Sequence, residues 1–309
     1  VFGDGASELS GSYWFMNDID RAFRLYTTLV DAPLYRWYRA QGRRRYPALD
    51  QAQFRPAERA LWLLAPLAPE AEAELPAGTP AFRAFADAGM VALHDDLADT
   101  RRSSLYFISS GFGAFSHANA EQNAFVLHLG GEPVLISAGY YDRYMSAHHA
   151  GYARRTRARN AITYDGGHGQ AETADGLLLA SMDFAGRLLN AYGGRVFDAA
   201  TGDATAAYRV CLGRPVNPGC APRRYQTPIT SALRSVAQWR DPQAQAYFVY
   251  DRIEAQAPHV WEWNLHAYRR FDVVSQGPPF TVRAYSPSGK RSVCIDWYGP
   301  PADFTQTDA

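Results

Sequence analysis

FSHANAEQNAFVLHLGGEPVLISAGYYDRYMSAHHAGYARRTRARNAITYDGGHGQ, residues 115–170, is the stretch that decides how this chain folds. Its apolar runs, NAFVLHL, EPVLISAG and NAITYDG, are short and cut by glycine, proline or asparagine, as buried strands are. Around them stand polar side chains able to hold a carboxylate or move a proton: His117, Asn119, Gln122, Asn123, Tyr140, Tyr141, Arg159 and Asn160. That mixture points to a site built on a sheet.

Working outward, the same punctuation continues from residue 82 to the end of the chain. GMVALHD, SLYFISSG, GLLLASM, QAYFVYDRIEA, HVWEWNLHAY, RFDVVSQ, FTVRAYS and RSVCIDWY complete the set of expected strands, and their spacing predicts an antiparallel β-sandwich over 82–309. Upstream the period changes. NDIDRAFRLYTTLV places Ile19, Phe23, Leu25, Tyr26 and Leu29 on an apolar stripe, APLYRWYRAQG continues after Pro33, and RPAERALWLLAPL closes at Pro66, so residues 1–67 read as helices. APEAEAELPAGTPA, residues 68–81, is poor in large apolar residues and serves as the linker. The fold class is therefore α+β, helices first and sandwich second.

A chain of 309 residues with 47% hydrophobic side chains can bury a substantial core. Thirty-one basic residues balance 31 acidic ones, so no global field favours nucleic acid or an anionic membrane, and recognition of an anion must be local. Lys290 is the only lysine. The remaining cations are arginines, whose planar fork matches a carboxylate. No apolar run approaches the roughly 18 residues of a membrane span. Cys211 and Cys220 bracket a turn-rich segment and can bridge, while Cys294 lies in an expected strand; no cysteine spacing suggests a metal.

SHANAEQN reads as a polar turn entering the strand AFVLHL, which at period two would set His117, Asn119 and Glu121 on one face. The bland reading is a turn whose asparagines satisfy backbone groups. After Tyr140 and Tyr141, either of which could assist proton transfer, comes a long polar loop with His148, His149, Tyr152, Arg154, Arg155 and Arg157. Such an arginine cluster suits a uronate or sulfate, or else forms a solvated charged face. GGHGQ lacks the lysine and hydroxyl of a phosphate loop. Glu121, Asp142 and Asp165 are available for hydrolysis by paired carboxylates, but nothing in the sequence sets two of them across a bond.

FSHANAEQNAFVLHLGGEPVLISAGYY, followed by RRTRARNAITYDGGHGQ, resembles the sheet-domain core of the heparinase II/III-like polysaccharide lyases, in particular the oligoalginate lyase branch. FGDG at residues 2–5, YFVYDRIEA and WEWNLHAY extend the resemblance over most of the chain. It implies the end of an α/α toroid followed by an antiparallel sandwich, and β-elimination on a uronic-acid polysaccharide such as alginate or a heparin-like chain. His117 matches the family's sheet histidine. With it, Tyr141 and Arg159 are the expected catalytic residues. Asn119, Gln122, Asn123, Tyr140, His148, His149, Arg155 and Asn160 are expected at the substrate. The competing expectation is a non-catalytic binder of acidic carbohydrate.

Two departures from the family pattern follow. A full toroid needs several hundred residues by helix-length arithmetic, so an amino-terminal toroid portion, separate or removed, is expected as a partner, and the start at Val1 agrees with a processed or partial chain. The resemblance also implies a structural zinc, yet the matching positions hold Asn119, Ser137 and Arg159, so a metal-free site without cofactor is expected. A zinc set of His117, Glu121 and His148 or His149 is the alternative. Arg159 would then either supply fixed positive charge beside His117 or pair with Glu121. A periplasmic or secreted bacterial location goes with the resemblance.

Overall fold

The computed structural model describes residues 32–45, 74–138, 143–216, 219–241 and 245–307. The chain divides into two compact units, 6–80 and 81–309 with 1–5. In the first unit α1 (Pro33–Arg45) begins with a proline in its first turn, where the missing N–H has no intrahelical partner to lose. It buries Trp37 and leaves Leu34, Tyr35 and Tyr38 exposed. The helices expected over 13–30 and 55–67 lie outside the described residues. No helix among the described residues is long and apolar enough to cross a membrane.

In the second unit strands are the main regular elements, joined by long irregular segments with only short helical turns. β1 (Phe82–Phe85), β2 (Met90–His94), β3 (Ser104–Ile108), β4 (Ala124–Leu129) and β5 (Glu132–Leu135) form one antiparallel sheet in chain order. β6 (Ile162–Tyr164) and β7 (Glu172–Thr173) follow a polar excursion, then come β8 (Arg187–Gly193) and β9 (Phe197–Asp203). The short β10 (Val210–Cys211), β11 (Arg214–Val216), β12 (Gly219–Ala221) and β13 (Tyr225–Gln226) precede the two longest strands, β14 (Ile229–Arg240) and β15 (Gln245–Ala255). β16 (Trp261–Trp263), β17 (Asp272–Ser275), β18 (Phe280–Tyr285) and β19 (Ser292–Trp297) complete the order. The second large sheet runs β15-β14-β9-β8, β16 pairs with β6, and β17-β18-β19 form a three-stranded sheet. Every pairing is antiparallel except β7 with β10.

Cross-strand register explains why the first sheet forms. Val91 faces Phe107, which faces Phe125; Leu93 faces Leu105, which faces Leu127. These six side chains lie on one face and are buried, each contributing about 1.5–3 kcal/mol by leaving water. They share a core with Ala200 on β9, Val236 on β14 and Ala284 on β18, so the first sheet closes against the second. A Cβ at Gly202 on β9 would stand 2.8 Å from Phe107 Cζ and 2.3 Å from Asn123 Oδ1, so glycine there permits the close approach of the two sheets.

The second sheet is held differently. On β14 the inward positions are Ala232, Arg234, Val236 and Gln238, so half of them are polar. Arg234 is 1% exposed and grips Asp251 on β15 through Nε at 2.6 Å and Nη2 at 2.9 Å. Its Nη1 donates to the carbonyls of Asn123 at 2.8 Å and Asn160 at 2.7 Å, and its guanidinium lies over the Phe125 ring. Trp263 Nε1 donates to the same Asp251. One cation thus pins both loops that flank β4 and β6.

Every expected strand contains one except GLLLASM, where a single bridge joins Leu178 to Glu172. Its Leu179 instead fills a small core with Ala114, Ala171, Phe184 and the Cys211–Cys220 disulfide, so those apolar residues are satisfied by packing without a ladder. β1 and β7 to β14 are additional strands that hydropathy does not mark.

Candidate functional site

Residues 114–123 and 143–160 make the candidate site. The turn at 114–123 enters β4 where expected, but Ser116 and Asn123 have φ of 55° and 60°, so the segment between is not extended. Period-two alternation therefore fails there: His117 is exposed while Asn119 and Glu121 are buried. The single face of imidazole, amide and carboxylate is replaced by an imidazole outside and a polar pair beneath.

Arg154 holds the turn. Its Nη2 donates to the carbonyls of Ala114, Ser116 and Ala118 at 2.9, 2.7 and 2.7 Å, and its own carbonyl accepts from the Ala120 N–H at 3.0 Å. The guanidinium is used as a clamp for backbone oxygens left over by the irregular turn. His117 is thereby presented on a fixed loop, with its ring 5.2 Å from that of Tyr144. Tyr144 is half exposed and also lies 5.1 Å from the buried His149. The Met145 N–H donates to His149 Nδ1 at 2.8 Å, which in the neutral ring leaves the proton on Nε2.

Below the turn, Arg159 Nε stands 3.6 Å from Glu121 Oε2, both side chains almost fully buried, and Arg159 Nη2 donates to the Ala153 carbonyl. Of the two roles open to Arg159, pairing with Glu121 is the contact present. Asn119 is wholly buried, with no hydrogen-bond partner on its amide nitrogen or oxygen. Arg159 also adds to the effect of burial in lowering His266 to a pKa of about 4, so that imidazole is neutral near pH 7.

The other expected site residues separate into two groups. Gln122 accepts from the Ser110 N–H at 2.6 Å and donates to the Gly113 carbonyl at 3.0 Å; Asn123 donates to the carbonyls of Gly202 and Ala232; Asn160 donates to Phe125 O at 2.8 Å and accepts from the His266 N–H at 2.9 Å. These three amides are buried and their polar atoms join strands to loops. Arg155 binds Glu172 at 3.1 Å and the carbonyls of Ala150 and Gly176. His148 is exposed with its ring 5.6 Å from Tyr152. Tyr140 and Tyr141 lie outside the described residues. Tyr144 and Arg154 carry the geometry, and no sequence signal marks them for it; the RR pair stands out in the sequence, but which arginine turns inward depends on the irregular turn beneath it.

Zinc does not fit these residues. A guanidinium stands at 159 and an amide at 119, neither of which ligates zinc well, and Glu121 is engaged by Arg159. Among the described residues no group of three or more His, Cys, Asp or Glu side chains is placed to hold a metal.

Comparison with known proteins adds the following. The family described as heparinase II/III-like, C-terminal, matches residues 77–298. Among solved structures, a heparinase III is 13% identical, with 74% of this chain and 31% of that chain covered at a TM-score of 0.49. The heparan sulfate lyase HepC from Pedobacter heparinus is 10% identical, covering 96% of this chain and 50% of that one at a TM-score of 0.41. A second heparinase III is 9% identical, covering 81% and 34% at a TM-score of 0.46. The chain thus spans from 31% to 50% of the length of these relatives. No curated protein matches. With its strand-rich unit matched almost from end to end, this chain belongs to the family described as heparinase II/III-like, C-terminal.

Proposed function

We propose that the chain is the sheet-bearing part of a lyase that cleaves a uronic-acid polysaccharide by β-elimination. The observation that carries this reading is the exposed imidazole of His117, set against Tyr144 on a turn whose carbonyls are clamped by Arg154. In the reaction the C5–H bond of the uronate breaks, its electron pair forms the C4–C5 double bond, and the C4–O4 bond breaks towards oxygen, which takes up a proton. No water is consumed. The difficulty lies in the acidity of C5, and it falls when the uronate carboxylate is neutralised by a donor aimed at its developing charge.

His117 is assigned to that carboxylate or to the proton, since an imidazole does either near neutral pH. We assign the phenol to Tyr144 on its ring contact with His117, with Tyr141 as the other candidate. Arg159 and Glu121 act from below as a buried pair that sets the turn, and not as groups touching sugar. The amino-terminal toroid portion would supply the opposite wall of the cleft, a proposal supported by the fraction of the relatives' length present here. A periplasmic or secreted location is supported by the Cys211–Cys220 disulfide, since such bonds persist in oxidising compartments.

The test is ultraviolet absorbance of the unsaturated uronate end when the chain, alone and with its amino-terminal portion, is given alginate and heparan sulfate. Elimination from either polymer is expected, with His117→Ala slowing it by about 100-fold or more. Absence of the signal with both portions present removes the lyase reading. Binding without elimination would favour a non-catalytic carbohydrate-binding domain, a second reading supported by the loss of zinc-compatible residues at 119, 137 and 159.

A further inference from the structure

Four arginines crowd the segment 154–159, and their surroundings sort them. Arg154 is buried against three carbonyls, Arg155 is bound to Glu172 and two carbonyls, and Arg159 is buried on Glu121. Arg157 differs from all three. It is exposed, its Nη2 donates only to the Gly151 carbonyl at 2.7 Å, and no carboxylate among the described residues comes within ion-pair distance. Its guanidinium stands 5.6 Å from the centre of the Tyr152 ring. His148, also exposed, meets the same ring at 5.6 Å. A π-helical turn, His149–Ala153, brings these groups together, a geometry frequent at functional sites.

The stem of Arg157 is supported from the other side. A Cβ on Gly167, at φ +99°, would meet Arg157 Cδ at 3.7 Å, so the glycine-rich turn after β6 passes near the stem, while the residue as a whole stays exposed. A cation in this setting has its fork partly bonded to backbone and placed against an aromatic ring, and its charge has no acidic counterpart among the described residues. Such a group costs little additional entropy to bind a planar anion, unlike a mobile surface arginine.

We infer that Arg157, flanked by Tyr152 and His148, forms a second saccharide subsite that holds the carboxylate or sulfate of a sugar other than the one that reacts. The inference rests on the reading of the ligand as an acidic saccharide and extends it to a chain of several units. Tyr144 contacts His149, the neighbour of His148, so the subsite is continuous in the chain with the loop that faces His117. Its role is affinity, with Arg157 binding charge and His117 touching the reacting unit.

The experiment measures equilibrium binding by calorimetry of the full chain, with its amino-terminal portion where required. The ligands are an unsulfated oligouronate, a sulfated heparan oligosaccharide and a neutral oligosaccharide of equal length. Arg157→Gln is expected to weaken one or both acidic ligands by about tenfold and to flatten their salt dependence, with thermal unfolding unchanged. Arg157→Lys, which keeps charge without the fork, is expected to fall between. The inference is overturned if Arg157→Gln binds both acidic ligands as the unmodified chain does, if it weakens the neutral ligand equally, or if the unmodified chain binds neither acidic ligand. Arg157-dependent binding without unsaturated product would leave the subsite standing and remove the lyase reading, so the two can fail separately.

Discussion

The two large sheets of the sandwich reach the same burial by opposite means. β2, β3 and β4 present Val, Leu and Phe in registered rows, and any strand with those residues would bury them. β9 and β14 turn Asp198, Ala200, Gly202, Arg234, Val236 and Gln238 inward, a list that would never be chosen for a core by hydropathy. What makes the second list viable is partnership: Arg234 with Asp251, and Asp198 with Arg240, which also reaches the Gly194 carbonyl. An apolar sheet is specified residue by residue, whereas a polar one is specified only in pairs.

The sharpest way to break this comparison is Arg234→Ala. It strands the Asp251 carboxylate and two backbone carbonyls, and a loss of about 3–5 kcal/mol in urea unfolding is expected. Replacement of Arg234 and Asp251 together by apolar residues of similar size should recover part of that loss; if the double change is as damaging as the single, the pairing account is wrong. On the apolar side, Leu105→Ala should cost about 2–5 kcal/mol through transfer and cavity effects, with no partner able to rescue it.

The first sheet has its own polar seam on the reverse face, where the Tyr106 ring meets those of His94 and His128. Burial is the main cause that pushes both imidazoles down to about 4, with the Arg102 charge adding to it. A histidine whose folded pKa is depressed stabilises the fold fully above the unfolded value of 6.5 and loses that contribution as pH falls towards about 4. The melting temperature should therefore drop over that interval, and His94→Gln should make the drop shallower; an unchanged slope would place the acid sensitivity elsewhere. Gly202→Ala, at the contact between the sheets, is expected to cost about 1–3 kcal/mol by overpacking against Phe107 and Asn123. Smallest of all is Arg187→Ala. Its guanidinium is mostly exposed where it meets Asp203, and a change within about 1 kcal/mol is expected, which separates a buried cation from a surface one on the same sheet.

Legibility followed the same division. β2 to β6 and β15 to β19 stand out in the sequence because their apolar residues alternate or run together. ITSALRSVAQWR, the longest strand, did not, since Ser, Ala, Arg and Gln mask its period. At the site, the turn before β4 and the importance of His117 were readable from SHANAEQN, while the inward rotation of Asn119 and Glu121 was not, because Ser116 takes a left-handed conformation that no propensity assigns to serine. The arginine cluster was visible as a cluster only. Nothing in RRTRAR distinguishes the clamp, the two acid-paired residues and the outward cation.

The sequence by itself determined that an α+β chain would place an apolar antiparallel sheet beside a polar, histidine-bearing turn, because hydrophobic periodicity and turn chemistry are local properties. Only the tertiary structure decided which polar residues face inward and which face solvent. That choice depends on partners distant in sequence, Asn123 and Asp251 for Arg234, Glu121 for Arg159, Glu172 for Arg155, and a buried charge is tolerable only where such a partner arrives.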